Sequence, residues 1–303
     1  MNMSELLKKL ETYADSDYLP MHMPGHKRRM GDLGNPFFID ITEIDGFDDL
    51  HHAEGILKQA EERAAELYGS EETHYLVNGS TSGILAAISG CTAAGGTILL
   101  ARNSHKSAYH AVLLRGLHVH YIYPQPAGKM GINGPVTAEN VDRLLEEHPE
   151  TKMVYITSPT YDGVVSDVEQ IAEVVHRRKL PLIVDEAHGA HFPFSEQFPK
   201  DSVSCGADVV IHSVHKTLPS LTQTALIHLN GDLINREKIR YFLGVYQSSS
   251  PSYIMMAGID QCMEWVSSHR KEFDSFAQRL QEVRAELRKL QALAVSYTHL
   301  RAH

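Results

Sequence analysis

With 303 residues, 43% of them hydrophobic and 22% charged, the chain can bury a sizeable core as one large domain or two smaller ones. Its formal net charge of −10 argues against non-specific attachment to nucleic acid or to an anionic membrane surface. The three cysteines, Cys91, Cys205 and Cys262, form no CxxC pair, so neither a disulfide framework nor a zinc module is indicated and a reducing cytoplasm is the expected setting. The first ten residues mix charge with leucine at helical spacing, unlike a signal peptide, and no apolar run approaches the ~20 residues that span a bilayer.

Residues 3–15 read as a short amphipathic helix, followed by an extended, loop-rich segment to about residue 50. Apolar strands then alternate with helices. Strands are predicted at 73–77, 97–101, 118–123, 153–157, 180–185, 207–212 and 224–229. Helices are predicted at 53–68, 81–91, 106–114, 138–147, 168–178 and 233–242. This alternation predicts an α/β fold with a mostly parallel central sheet flanked by helices. From 251 to about 294 the pattern is helical. Residues 295–303 stop without a cap or closing domain and read as a non-native tail, which implies a missing C-terminal part.

Five local features follow predicted strands. Val77-Asn78-Gly79-Ser80-Thr81-Ser82-Gly83, at a strand-to-helix junction, has the small residues and hydroxyls of a phosphate cradle, although Ser and Thr are also ordinary helix caps. It is neither a GxGxxG fingerprint nor a Walker A loop. His105, in Arg102-Asn103-Ser104-His105-Lys106, could stack on a flat ring or be structural. Ser158-Pro159-Thr160-Tyr161-Asp162-Gly163 reads equally as a turn. Asp185-Glu186-Ala187-His188 closes an apolar strand; with His191 it lacks the usual zinc spacings, and no metal is expected there. The fifth is Lys216, in Ser213-Val214-His215-Lys216-Thr217, either a surface lysine or a Schiff-base nucleophile. A lysine at the mouth of a parallel sheet, with a carboxylate at the tip of a neighbouring strand, suits pyridoxal 5'-phosphate (PLP) chemistry. All five fall at the sheet edge where open α/β folds bind ligands.

These motifs, with Met23-Pro24-Gly25-His26-Lys27, resemble the major domain of the bacterial PLP-dependent ornithine/lysine/arginine decarboxylases, of the aspartate-aminotransferase fold type I, over most of residues 15–290. The resemblance implies that Lys216 anchors PLP, Asp185 pairs with its pyridinium nitrogen and His105 stacks on its ring. Ser80 and Thr81 would bind its phosphate, joined by Ser213 and His215, and His188 would lie beside the ring. His215 or Lys216 would return a proton to Cα. The implied organisation is an N-terminal helix and extended segment (1–50), a PLP-binding major domain (51–250) and a helical linker (251–294) toward a missing domain. The implied reaction is decarboxylation of arginine, lysine or ornithine to a polyamine-precursor amine and CO2. The partner is a small basic amino acid, with no nucleic acid and no membrane, in a homodimer or higher homo-oligomer to which 247–251 would contribute across subunits. An aminotransferase or other fold type I enzyme, or an inactive PLP-binding fragment, are the alternatives.

Overall fold

A computed structural model describes residues 4–28, 33–126 and 131–290 of the chain. The tail expected at 295–303 lies outside the described residues. The described residues include seven strands: β1 (Glu72–Leu76), β2 (Thr97–Ala101), β3 (His118–Ile122), β4 (Thr151–Thr157), β5 (Leu182–Asp185), β6 (Val209–His212) and β7 (Ala225–Leu229). They form one sheet in the order β1–β7–β6–β5–β4–β2–β3. Adjacent strands run parallel from β6 to β3, whereas β7 is antiparallel to both β6 and β1. The mostly parallel sheet is therefore observed, with β7 as its one reversed member among the described strands.

The central strands are rich in Val, Ile and Leu because both their faces are covered, as parallel sheets require, whereas the outer β1 and β3 carry Glu72, Thr73, His118 and His120. On one face, Leu99, Val154, Ile156, Val184 and Val210 pack against α5 (Ala138–Glu147) and α6 (Val168–Arg177). Toward β7 and β1 the same face continues with Leu226, Tyr75 and Val77 under α2 (Ile56–Tyr68) and, further along the chain, α9 (Tyr253–Ser268). The opposite face, with Ile98, Leu100, Tyr155, Ile183 and Ile211, is covered by α3 (Gly79–Cys91), α4 (Lys106–Arg115) and α8 (Arg236–Tyr246). The remaining helices are α1 (Glu5–Ala14), the single turn α7 (Val214–Thr217) and α10 (Arg270–Leu287). No helix among the described residues is long and apolar enough to cross a membrane.

Several boundaries moved for identifiable reasons. α2 starts at Ile56, not 53, because the Asp48 carboxylate gathers the N–H groups of Glu54, Gly55 and Leu57 at its start. α8 runs 236–246 instead of 233–242, since the Asn235 side chain accepts from Lys238 N and sets the start. The helical stretch after 251 is two helices broken at His269, whose imidazole stacks on Trp265 at 4.6 Å. Gly83 was read as part of an anion cradle, but its place is set by packing: a Cβ there would lie 2.5 Å from the Leu76 Cδ1 of β1.

Candidate active site at the C-terminal edge of the sheet

β1, β2, β4, β5 and β6 all point their C-terminal ends to one edge, so the loops after them meet there. Asp185 is the last residue of β5, in register with Thr157 of β4 and Ile211 of β6, and is 2% exposed. Its carboxylate accepts from Ala187 N at 3.1 Å and from the Tyr155 hydroxyl at 3.3 Å. Burial pushes the Asp185 pKa up, while Lys216 and His105 act in the opposite direction through their charges. A carboxyl held this way gains from a cation delivered beside it.

Lys216 lies in α7, immediately after β6. Its Nζ is hydrogen-bonded to His188 Nε2 at 3.1 Å, and His188 is itself buried, with the Tyr161 ring edge-on at 6.1 Å. His215 points the other way. Its Nδ1 donates to the carbonyl of Thr224, at the start of reversed β7, at 2.8 Å. Burial lowers its pKa. His105 caps the start of α4, where its Nδ1 accepts from Ser107 N, and the ring is exposed above the edge. Burial of part of the ring also lowers its pKa.

The α3 N-terminus is a candidate anion site. Its N-cap, Asn78, makes no side-chain cap, because Asn78 Oδ1 accepts from Ser248 N instead. The first-turn amides of α3 are thus left for another acceptor, and the positive end of the helix dipole faces it. Beside them, Ser213 Oγ donates to Ser80 Oγ at 2.9 Å, joining the loops after β6 and β1. Thr81, in the same first turn, is exposed. This donor set fits a phosphate monoester, and Lys216 and Asp185 fit the aldehyde and ring nitrogen of PLP.

The structure thus brings Lys216, Asp185, His188, Ser80 and Ser213 to one edge and turns the His215 imidazole toward Thr224. His191 goes elsewhere, packing edge-on against Phe192 and Phe198, so the DEAHGAH run does not gather its histidines around one point. Gln247 and Ser248, expected to reach a neighbouring subunit, bond within the chain: Gln247 Oε1 accepts from Val77 N at 2.9 Å.

Three placements were not foreseen from the sequence. Met23–Lys27, named there as a motif but given no position, lies on the lysine turn, with Gly25 N donating to the His215 carbonyl at 2.7 Å. Tyr155 was hidden inside an apolar strand. Behind the site runs a buried chain of side chains, in which Glu186 bonds Ser202 Oγ (2.7 Å) and His212 Nε2 (2.7 Å). His212 Nδ1 meets His228 Nε2 (3.0 Å), and His228 Nδ1 meets Thr73 Oγ1 (2.7 Å). Burial raises the Glu186 pKa and lowers that of His228. The available signal was a histidine in each of two otherwise apolar strands, β6 and β7.

Comparison with known proteins points the same way. A sequence model described as "Orn/Lys/Arg decarboxylase, major domain" matches residues 4–299. The chain is 38% identical to the uncharacterized protein YaaO of Bacillus subtilis over 98% of its own length and 62% of the relative's. It is 34% identical to the arginine decarboxylase of the same organism, over 83% of the chain and 53% of that protein. The chain therefore spans somewhat over half the length of these relatives. Among solved structures, the constitutive lysine decarboxylase of E. coli aligns with a TM-score of 0.73 at 21% identity, over 96% of this chain and 44% of that one. The serine palmitoyltransferase of Sphingomonas wittichii aligns at 0.65 and 19% identity, over 81% and 59%. At these identities the structural likeness is one of fold, that of the type I PLP-dependent transferases. By the match over nearly its whole length, the chain belongs to the ornithine/lysine/arginine decarboxylase family, whose major domain it carries.

Proposed function

We propose that the chain is the PLP-binding core of a decarboxylase that converts a basic amino acid, arginine, lysine or ornithine, to its amine and CO2. The observation that carries this reading is the convergence of Lys216, buried Asp185 and the uncapped start of α3 on one sheet edge. When bound, PLP supplies an electron sink for the bond between Cα and its carboxylate.

The residues divide the work as follows. Lys216 is the covalent anchor, and its amine must be neutral to attack a carbonyl, which His188 promotes by accepting a proton at Nε2. Asp185 keeps the ring nitrogen protonated, fixed in orientation by Tyr155 and Ala187 N. The amides of α3, with Ser80, Thr81 and Ser213, would hold the phosphate, and His105 would stack on the ring. Lys216 is assigned the proton returned to Cα. His215 has committed Nδ1 to Thr224 and is kept neutral by burial, so it anchors the turn instead of donating.

A homodimer in the cytoplasm, feeding polyamine synthesis, completes the proposal. It is supported by exposed apolar side chains on the N-terminal segment, with Phe37 and Phe38 at 89% and 86% exposure, which a second copy would cover. Sedimentation of the full chain as a monomer would remove that part. The catalytic reading is tested by adding PLP to the chain and following visible absorbance, borohydride trapping and CO2 release from the three amino acids. Trapped PLP at Lys216, lost in Lys216→Ala, with CO2 and no keto acid, is the expected result. Keto-acid formation would indicate an aminotransferase, and no trapping would end the reading.

A further inference from the structure

At the sheet edge opposite Lys216, three side chains from separate segments converge. His120 lies on β3, the terminal strand of the sheet, while His148 caps α5 and Glu150 immediately precedes β4. His120 Nε2 is 3.0 Å from Glu150 Oε1, and His148 Nδ1 is 3.7 Å from the same oxygen. The two imidazoles stack with centroids 3.4 Å apart and planes within 9°. One donor atom from each of the three residues lies within 4.8 Å of the others.

We propose that His120, His148 and Glu150 form a binding site for a divalent metal ion of the zinc class, which clips edge strand β3 to the α5–β4 turn. Two imidazole nitrogens and a carboxylate oxygen are the donors that Zn2+ and its borderline-soft neighbours take. The stack holds the two rings parallel, with a nitrogen of each beside the same Glu150 oxygen. Tetrahedral bonds of ~2.0–2.2 Å place ligand atoms about 3.5 Å apart. The His–Glu separations of 3.0 and 3.7 Å already bracket that spacing, and side-chain rotation at residues that are 28–50% exposed allows the remaining adjustment. Three protein ligands leave a fourth position for water or an outside donor. The pattern is invisible in sequence because His120 and Glu150 are 30 residues apart.

The site is distant from the catalytic edge, so its test is independent of the proposed reaction. The untagged full chain, freed of metal with a chelator, is titrated with Zn2+ by calorimetry and with Co2+ by visible absorbance. The same titrations are run on His120→Ala/His148→Ala and on Glu150→Gln. We expect one ion per wild-type chain and a rise in melting temperature on binding. Affinity should fall at least tenfold in both variants, with PLP binding unchanged. Equal affinity and stoichiometry in wild type and the double variant, or no saturable binding to wild type, would overturn the proposal.

Discussion

Gly25→Ala tests how the N-terminal segment controls the lysine turn. A Cβ at position 25 would stand 2.5 Å from Leu218 O and 3.2 Å from Leu218 C and N, where optimal non-bonded separations are about 3.5 Å or more. All three are backbone atoms, so no side-chain rotation can relieve the clash. Overpacking of this kind costs ~1–3 kcal/mol. Losing the 2.7 Å bond from Gly25 N to the His215 carbonyl adds about 1 kcal/mol. The sum of about 2–4 kcal/mol is released by lifting residues 21–27 off the turn, so global stability is little affected. Local opening should rise by roughly 30- to 700-fold, at about 1.4 kcal/mol per decade. Hydrogen exchange followed by mass spectrometry should show the 18–28 and 213–224 peptides exchanging faster, with decarboxylation reduced in parallel. Exchange within threefold of wild type at both peptides would refute the argument.

Three other outcomes follow from buried charges. His74 lies between Glu61 (3.2 Å) and Glu72 (2.6 Å), which raise its pKa to about 9 against the penalty of burial. A raised histidine pKa stabilises fully below its unfolded value of 6.5 and ceases to do so as pH climbs through about 9. Denaturation of His74→Gln should therefore show a loss on the order of 2–3 kcal/mol at pH 6 that shrinks toward zero by pH 10, and a pH-independent loss would contradict the pairing. Glu72 is depressed to about 2, so its own contribution holds above 4.5 and fades only as pH falls toward 2. Glu186→Ala leaves His212 and the Ser202 N–H and hydroxyl buried without their carboxylate, and should cost ~3–5 kcal/mol in urea unfolding. A cost under 1 kcal/mol would show the network to be dispensable. Asp185→Asn keeps the shape but not the charge at the tip of β5, so it should bind PLP while losing most CO2 release; an unaltered rate would remove Asp185 from its assigned role.

Strands were legible because their Val, Ile and Leu runs are short and bounded by turns, and all seven appear within a few residues of their predicted limits. Asp185 stood out as a polar residue at the end of an apolar strand, and Lys216 as a lysine a few residues beyond one. Tyr155 was not, since an aromatic inside 153–157 looks like core until its hydroxyl is seen to reach Asp185. The Glu186–His212–His228–Thr73 chain links residues 16 to 155 positions apart, and no local pattern encodes such distances. The role of Gly83 was misread because small residues serve close helix–strand packing as readily as anion binding. The single helical turn carrying Lys216 is too short to leave a 3.6-residue signature.

The reversal of β7 also governs the order in which the molecule can be made. Among the described strands β1 pairs with β7 alone, with Thr73 and His228, bonded to each other, 155 residues apart. A chain emerging from the ribosome can pair β2 with β3 early, but β1 must wait with its edge uncovered until residue 229 has been synthesised. The start of α3 and the hydroxyl of Ser213, which together make the proposed anion site, are therefore among the last parts to come together. Non-local pairing of this kind slows folding and prolongs exposure of an unpaired edge. An anion bound across Ser80 and Ser213 would tie the first strand to the last-formed hairpin, so cofactor supply during synthesis should favour recovery of folded protein.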